Sequence, residues 1–152
     1  MNTLIIYDSA FGNTKQIADT IAETLRKYSS VQVLSVAEAD IIELTGLDFL
    51  IVGSPTQKHT LTNEMRTLLE GMLGGSLQGL AAATFDTRYR MSEWLSGSAA
   101  YGIAKKLQRA GARLIVPPES FFVLSVDGPL EDGERERAVD WAEKAIKQLV
   151  SA

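Results

Sequence analysis

The order of hydrophobic segments limits how this chain can fold, because short apolar runs alternate with longer amphipathic segments along all 152 residues. Runs rich in β-branched and aromatic residues, or with apolar and polar residues in alternation, predict strands. The predicted strands cover residues 3–7, 31–36, 49–53, 80–85 and, interrupted by Pro117-Pro118, 114–116 and 121–125. Five strands are therefore predicted.

The segments between these strands carry apolar residues at helical spacing, as Ile17, Ile21 and Leu25 do in the first of them. The predicted helices cover residues 13–28, 38–44, 62–73, 98 or 99 to 110, and 132–150. Strands and helices that alternate in this way predict an α/β protein with three α/β/α layers, a five-stranded parallel sheet and right-handed crossovers. No linker or repeat divides the chain, which predicts a single domain over residues 1–152.

Composition narrows the chemistry. The chain has no cysteine and one histidine, His59, which excludes disulfides, thiolate zinc sites, iron–sulfur clusters and cysteine nucleophiles. Redox chemistry would therefore need an organic cofactor, and no metal site is predicted. The net charge of −4 disfavours nucleic acid binding. The apolar runs are too short to cross a bilayer, so we expect a soluble cytoplasmic protein without membrane insertion.

Functional groups in such sheets lie at the carboxyl ends of the strands, which here are followed by residues 8–14, 54–60 and 86–97. The first of these loops, Ser9-Ala10-Phe11-Gly12-Asn13-Thr14, leads into a predicted helix, whose first N–H groups attract an anion. It lacks the lysine and second glycine of a P-loop and the three glycines of a dinucleotide fingerprint, which favours a phosphate monoester. The alternative is an ordinary capped turn.

Several of these motifs resemble those of flavodoxins. Residues 7–14 resemble the flavodoxin phosphate loop, Gly53-Ser54-Pro55-Thr56 resembles the second flavin loop, and residues 96–111 are similar to the helix after the third loop. The resemblance covers nearly the whole chain. It implies a flavodoxin-like fold with strand order 2-1-3-4-5 and FMN as the cofactor.

The resemblance also implies the residues that bind FMN. Those around the phosphate would be Ser9, Ala10, Phe11 through its backbone, Gly12, Asn13 and Thr14. Those along the ribityl chain and the ring edge would be Ser54, Pro55, Thr56, Gln57 and, if it approaches the ring, Lys58. Those against the pyrimidine end would be Asp86, Thr87, Arg88 and Tyr89, and the candidates for stacking on the ring are Tyr89 and Trp94.

The sequence departs from the family pattern in these loops. Phe11 stands where the family usually has Ser or Thr, so one side-chain bond to the phosphate is lost. The second loop, Gln57-Lys58-His59-Thr60, has no Trp, Tyr or Gly, and His59 is either a flavin neighbour or a solvated surface residue. The third loop lacks the usual Gly-Asp pattern.

Charge distinguishes this chain from the strongly acidic flavodoxins. Three cations, Lys58, Arg88 and Arg90, lie on the predicted flavin loops. One positive charge about 4 Å from the ring contributes about 1 kcal/mol in water and about 4 kcal/mol at an effective dielectric constant of 20. We therefore expect FMN to be reduced more easily here than in acidic flavodoxins.

The leading functional hypothesis is an FMN-binding electron carrier, or a redox module that works with a partner protein and docks through the flavin edge. No catalytic side chain is predicted, so the protein would bind, orient and tune its cofactor. Two alternatives remain open: an NAD(P)H-dependent FMN or quinone oxidoreductase, and an interaction module whose FMN binding is weak or lost.

Overall fold

The computed structural model describes residues 1–40, 44–72, 77–91 and 97–151. Its strands are β1 (Asn2–Tyr7), β2 (Ser30–Ser35), β3 (Phe49–Pro55), β4 (Ala81–Tyr89), β5 (Arg113–Leu114) and β6 (Glu119–Val123). Its helices are α1 (Asn13–Leu25), α2 (Asn63–Glu70), α3 (Ala99–Arg109) and α4 (Glu134–Ser151), with a 3-10 turn at Glu38–Asp40. No helix in these ranges is long and apolar enough to cross a membrane.

All strand pairs of the main sheet are parallel, in the order β2-β1-β3-β4-β5, and β6 also pairs with β4. This confirms the predicted fold class and strand order. Strand β3 lies at the centre, and its apolar first half includes Phe49, Leu50 and Ile51, which are fully buried. A parallel strand covered on both faces needs such a run.

The two faces of the sheet bury separate apolar clusters, which gives the three layers. Ile5 of β1 packs with Ile21 of α1 and Trp141 of α4 on one face. Leu4 of β1 packs with Met65 of α2 and Ile103 of α3 on the other. Neighbouring side chains of a strand point to opposite faces, so one apolar strand serves both clusters.

The predicted last strand is confirmed as an interrupted one, although the sheet then has six strands rather than five. Arg113 of β5 lies opposite Ala81 at the start of β4, and Glu119 of β6 lies opposite Phe85 further along the same strand. Pro117 and Pro118 fall between the two pieces. Proline has no N–H to donate to a sheet, which explains the break.

Strand β4 continues to Tyr89, so the prediction that it ends at Phe85 was wrong. Thr87 lies opposite Pro55 of β3, and Tyr89 lies opposite Val123 of β6. The polar residues Asp86, Thr87 and Arg88 are buried in this extension. Their polarity suggested a loop, yet pairing with β6, and for Asp86 and Thr87 also with β3, keeps them in the sheet.

Several helix ends differ from the prediction. The first helix ends at Leu25 rather than at residue 28, and the one predicted at 62–73 spans Asn63–Glu70, with Thr62 as its N-cap. The helix predicted at 38–44 is a 3-10 turn over Glu38–Asp40, and residues 41–43 and 73 lie outside the described residues. Local spacing marks the presence of a helix more reliably than its ends.

Candidate functional site

The carboxyl ends of β1, β3, β4 and β6 surround one groove with a narrow end and a wide end. The narrow end is lined by the first loop and the ends of β3 and β4, and the wide end has a volume of about 670 Å³. The predicted residues that line the groove are Ser9, Ala10, Phe11, Asn13, Thr14, Pro55, Thr56, Gln57, Lys58, Thr87, Arg88 and Tyr89. A groove of this size suits a small-molecule cofactor.

The first loop presents backbone donors at the narrow end. Gly12 has a φ of 87°, a conformation that glycine adopts readily, and the Ser9 Oγ accepts hydrogen bonds from the N–H of Gly12 (3.0 Å) and of Lys15 (3.4 Å). Four other N–H groups have no hydrogen-bond partner within the described residues: those of Ala10, Phe11, Asn13 and Thr14. The first turn of α1 contains no acidic residue. The loop can therefore bind an anion with neutral donors.

Two buried contacts fix the first loop to the rest of the site. The Thr14 and Thr87 hydroxyl oxygens lie 2.8 Å apart, which joins the start of α1 to β4. A Cβ added to Gly128 would overlap the side chain of Asn13, so the segment after β6 passes directly against the loop. Neither contact depends on a bound ligand.

The segment after β6 also supplies lining residues that the sequence analysis missed, namely Val123 and Val126, as does Met91 after β4. The sequence could have indicated Val123 and Val126. They lie at the end of the last predicted strand and directly after it, just before the Asp127-Gly128-Pro129 turn, and the carboxyl ends of parallel strands share one edge.

The second loop forms a tight turn over the wide end. Gln57 and Thr60 exchange two backbone hydrogen bonds, of 2.7 and 3.0 Å, around Lys58 and His59. The Thr56 Oγ accepts a hydrogen bond of 2.9 Å from the N–H of Ala99, which ties the turn to the start of α3. His59 is exposed and lines the groove together with Lys58.

Three of the predicted residues are not among those that line the groove. Gly12 shapes the first loop. Ser54 is fully buried, and its Oγ accepts a hydrogen bond from the N–H of Thr62 and donates one to the carbonyl of Pro55. Asp86 is also fully buried and accepts hydrogen bonds from the Ser98 hydroxyl and the N–H of Ala100. These residues support the loops, and Trp94 lies outside the described residues.

The three cations of the flavin loops are placed very differently. The Arg88 guanidinium is buried and donates hydrogen bonds to the Ser120 Oγ (2.9 Å) and the Met91 carbonyl (2.8 Å). The exposed Arg90 pairs with Glu131 at 3.0 Å and lies over the ring of Phe122. The Lys58 ammonium has no ion pair or hydrogen bond within the part of the chain that the structure describes.

Glu134 anchors the edge of the sheet behind the groove. Burial alone would raise the pKa of this carboxylate, but hydrogen bonds from Arg137 and from the Phe122 N–H outweigh burial and lower the pKa. The Arg137 side chain in turn lies over the rings of Phe121 and Phe122. The start of α4 is therefore held to β6 by charged hydrogen bonds.

Comparison with known proteins identifies relatives of this chain. A family model described as a flavodoxin domain matches residues 4–93. The chain is 34% identical to a flavodoxin of Aquifex aeolicus (strain VF5) over 89 residues, which cover 55% of this chain and 48% of the relative. It is 28% identical to a flavodoxin of Maridesulfovibrio salexigens over 144 residues, which cover 91% and 92% of the two chains.

A solved structure shows the same fold. The crystal structure of oxidised Flavodoxin 2 from Bacillus cereus superposes with a TM-score of 0.84 at 24% identity, covering 97% of this chain and 99% of that one. The match to the Aquifex relative spans about half of that protein's length.

Proposed function

Because the chain belongs to the flavodoxin family, whose cofactor is FMN, we propose that it carries electrons between partner proteins on an FMN bound in this groove. Bound FMN supplies the redox chemistry, since it accepts and releases electrons without protein sulfur or metal. The docking of partner proteins at the exposed edge of the groove and a cytoplasmic location belong to the same proposal.

The observation that carries the proposal is the set of N–H groups in the first loop that have no hydrogen-bond partner in the described part of the chain. A phosphate at the narrow end would accept hydrogen bonds from the N–H groups of Ala10, Phe11, Asn13 and Thr14. The Ser9 Oγ already accepts from two N–H groups, so its own hydrogen is available to the same phosphate. The donor set therefore fits the phosphate of FMN without a lysine side chain.

The wide end of the groove suits the flavin ring. Tyr89, which is 38% exposed, offers an aromatic face at this end, and Phe11 and Met91 add apolar surface beside it. Thr56 and Gln57 provide polar groups along one wall. No Asp or Glu lines the groove within residues 1–40, 44–72, 77–91 and 97–151. In this proposal, Tyr89, Phe11 and Met91 contact the ring, and Thr56 and Gln57 orient it.

Titration of the apo-protein with FMN, followed by flavin fluorescence and by the visible absorption spectrum, tests the proposal. We expect quenching, sub-micromolar affinity, and weaker binding of riboflavin, which lacks the phosphate. Failure to bind FMN would contradict the proposal and support an interaction module. Steady-state oxidation of NAD(P)H with a quinone by the purified protein would instead support a stand-alone oxidoreductase.

A further inference from the structure

The turn that carries Lys58 has an unfavourable backbone conformation. Lys58 has a φ of 49° and His59 a φ of 71°, and these are the only two non-glycine residues with positive φ in the described ranges. A two-residue turn with positive φ at both central positions favours Asn-Gly, because other side chains crowd the backbone there. The chain places a lysine and a histidine in these positions instead.

Neighbouring segments hold the turn in this conformation. Gln57 and Thr60 close it with two backbone hydrogen bonds, and Thr56 accepts one from the N–H of Ala99. Gly97 passes so close to the backbone of His59 that a Cβ on Gly97 would overlap it. Strain that the surroundings impose in this way is typical of functional positions.

The turn also brings to the groove a positive charge that has no ion partner among the described residues. The Lys58 side chain is exposed, lines the wide end and forms no ion pair with any residue in 1–40, 44–72, 77–91 or 97–151. Arg90 pairs with Glu131, and Arg88 donates to Ser120 and to the Met91 carbonyl. No described Asp or Glu lines this end of the groove.

We propose that the strained turn positions the Lys58 ammonium to stabilise the negative charge that FMN gains when it is reduced. This proposal rests on the proposed function. When a reduced partner protein delivers two electrons and solvent supplies one proton, the flavin ring gains one negative charge at neutral pH. The ammonium attracts this charge, so the protein binds reduced FMN more tightly than it would without Lys58 and thereby raises the reduction potential.

Two substitutions at Lys58 separate charge from strain. Lys58→Gln removes the charge and keeps a side chain at positive φ, whereas Lys58→Gly removes the charge and relieves the backbone. Lys147→Gln is the control for charge. Lys147 is exposed on α4, 13 residues beyond Glu134, or about 20 Å along the helix from the end that contacts β6.

The measurements are the dissociation constant of oxidised FMN, the two-electron midpoint potential of the holo-protein during reductive titration with dithionite, and the urea stability of the apo-protein. For both Lys58 variants we expect affinity for reduced FMN to fall about five- to tenfold relative to oxidised FMN; tenfold corresponds to about 30 mV for a two-electron couple. Added salt should shrink this difference. Lys58→Gly should also be more resistant to urea than Lys58→Gln.

The outcomes separate the two proposals. Wild-type protein that does not bind FMN would overturn the proposed function together with this one. Normal FMN binding, with the midpoint potential of Lys58→Gln equal to that of Lys147→Gln, would overturn only the role of Lys58. Equal urea stability of the two Lys58 variants would overturn the claim that the backbone of the turn is strained at Lys58.

Discussion

Asp8 and Thr62 connect the first loop to the helix that follows the second loop. The Thr62 Oγ donates a hydrogen bond of 2.6 Å to the Asp8 carboxylate and accepts one of 3.2 Å from the N–H of Met65, as the N-cap of α2. The other oxygen of Asp8 accepts from the N–H of Ser9. One carboxylate thus fixes the position of the first loop relative to α2.

Substitution of Thr62 tests how much these hydrogen bonds stabilise the protein. Thr62→Ala should destabilise the protein by about 1–2 kcal/mol, because the N-cap is lost and Asp8 loses a partner. Urea denaturation measures the change. Thr62→Ser should restore most of the stability, and Thr67→Ala, which removes an exposed hydroxyl within the same helix, serves as the control. Equal losses for Thr62→Ala and Thr67→Ala would contradict the role of the cap.

The Ser9 hydroxyl should strengthen the binding of FMN but not that of riboflavin. Ser9→Ala removes a hydroxyl that can donate to a phosphate, which should weaken FMN binding by about 1.5–3 kcal/mol, or roughly 10- to 150-fold. Fluorescence titration with both flavins measures the effect. Ser30→Ala, at the start of β2, is the control. If Ser9→Ala weakened the binding of riboflavin equally, the hydroxyl would not act on the phosphate.

A side chain at Gly53 should destabilise the protein. A Cβ at this position in β3 would overlap the ring of Phe85 in the neighbouring strand, so Gly53→Ala should cost about 1–3 kcal/mol of stability through overpacking. Urea denaturation measures this cost, and Phe85→Leu in the same chain should recover part of it. Gly71→Ala, at a helix end with a φ of −67°, should change stability by less than about 0.5 kcal/mol. A mild effect at Gly53 would contradict the close contact.

The order of strands and helices was predictable because the apolar runs indicate each element without knowledge of its tertiary contacts. The end of β4 was not, since Asp86, Thr87 and Arg88 are polar and become strand only through pairing with β3 and β6. The order of strands and helices located the three loops at the carboxyl edge, where residues of each line the groove, and their binding of FMN stays a prediction. The sequence did not reveal that Arg88 donates to Ser120 or that Arg90 pairs with Glu131, because these two partners come from distant segments.

The turn at Lys58 shows the same limit more sharply. Lys-His carries no local preference for positive φ, and the contacts that impose it come from Gly97 and Ala99, about 40 residues further along the chain. Sequence reasoning identified Lys58 as a candidate only if it approached the ring. The turn, its backbone strain and the lack of an ion partner for Lys58 among the described residues emerge only from the structure.

The lowered pKa of Glu134 should make the free energy of unfolding depend on pH. Its pKa is lowered from the ordinary 4.5, so its interactions contribute stability above pH 4.5 that is lost as the pH falls through the lower pKa of the folded state. Glu134→Gln should cost about 1–3 kcal/mol at pH 7, because the charged hydrogen bonds from Arg137 and the Phe122 N–H are weakened. Urea denaturation at several values between pH 7 and pH 3 measures the difference from wild type.

This difference between wild type and Glu134→Gln should shrink as the pH falls below 4.5, since protonation removes the charge from the native carboxylate as well. Glu136→Gln, exposed on the same helix, is the matched control and should change stability little at any pH. A difference that stayed constant from pH 7 to pH 3 would show that Glu134 acts through its shape rather than its charge. Its bond to the Phe122 N–H would then anchor α4 to β6 without a contribution from the net charge of the carboxylate.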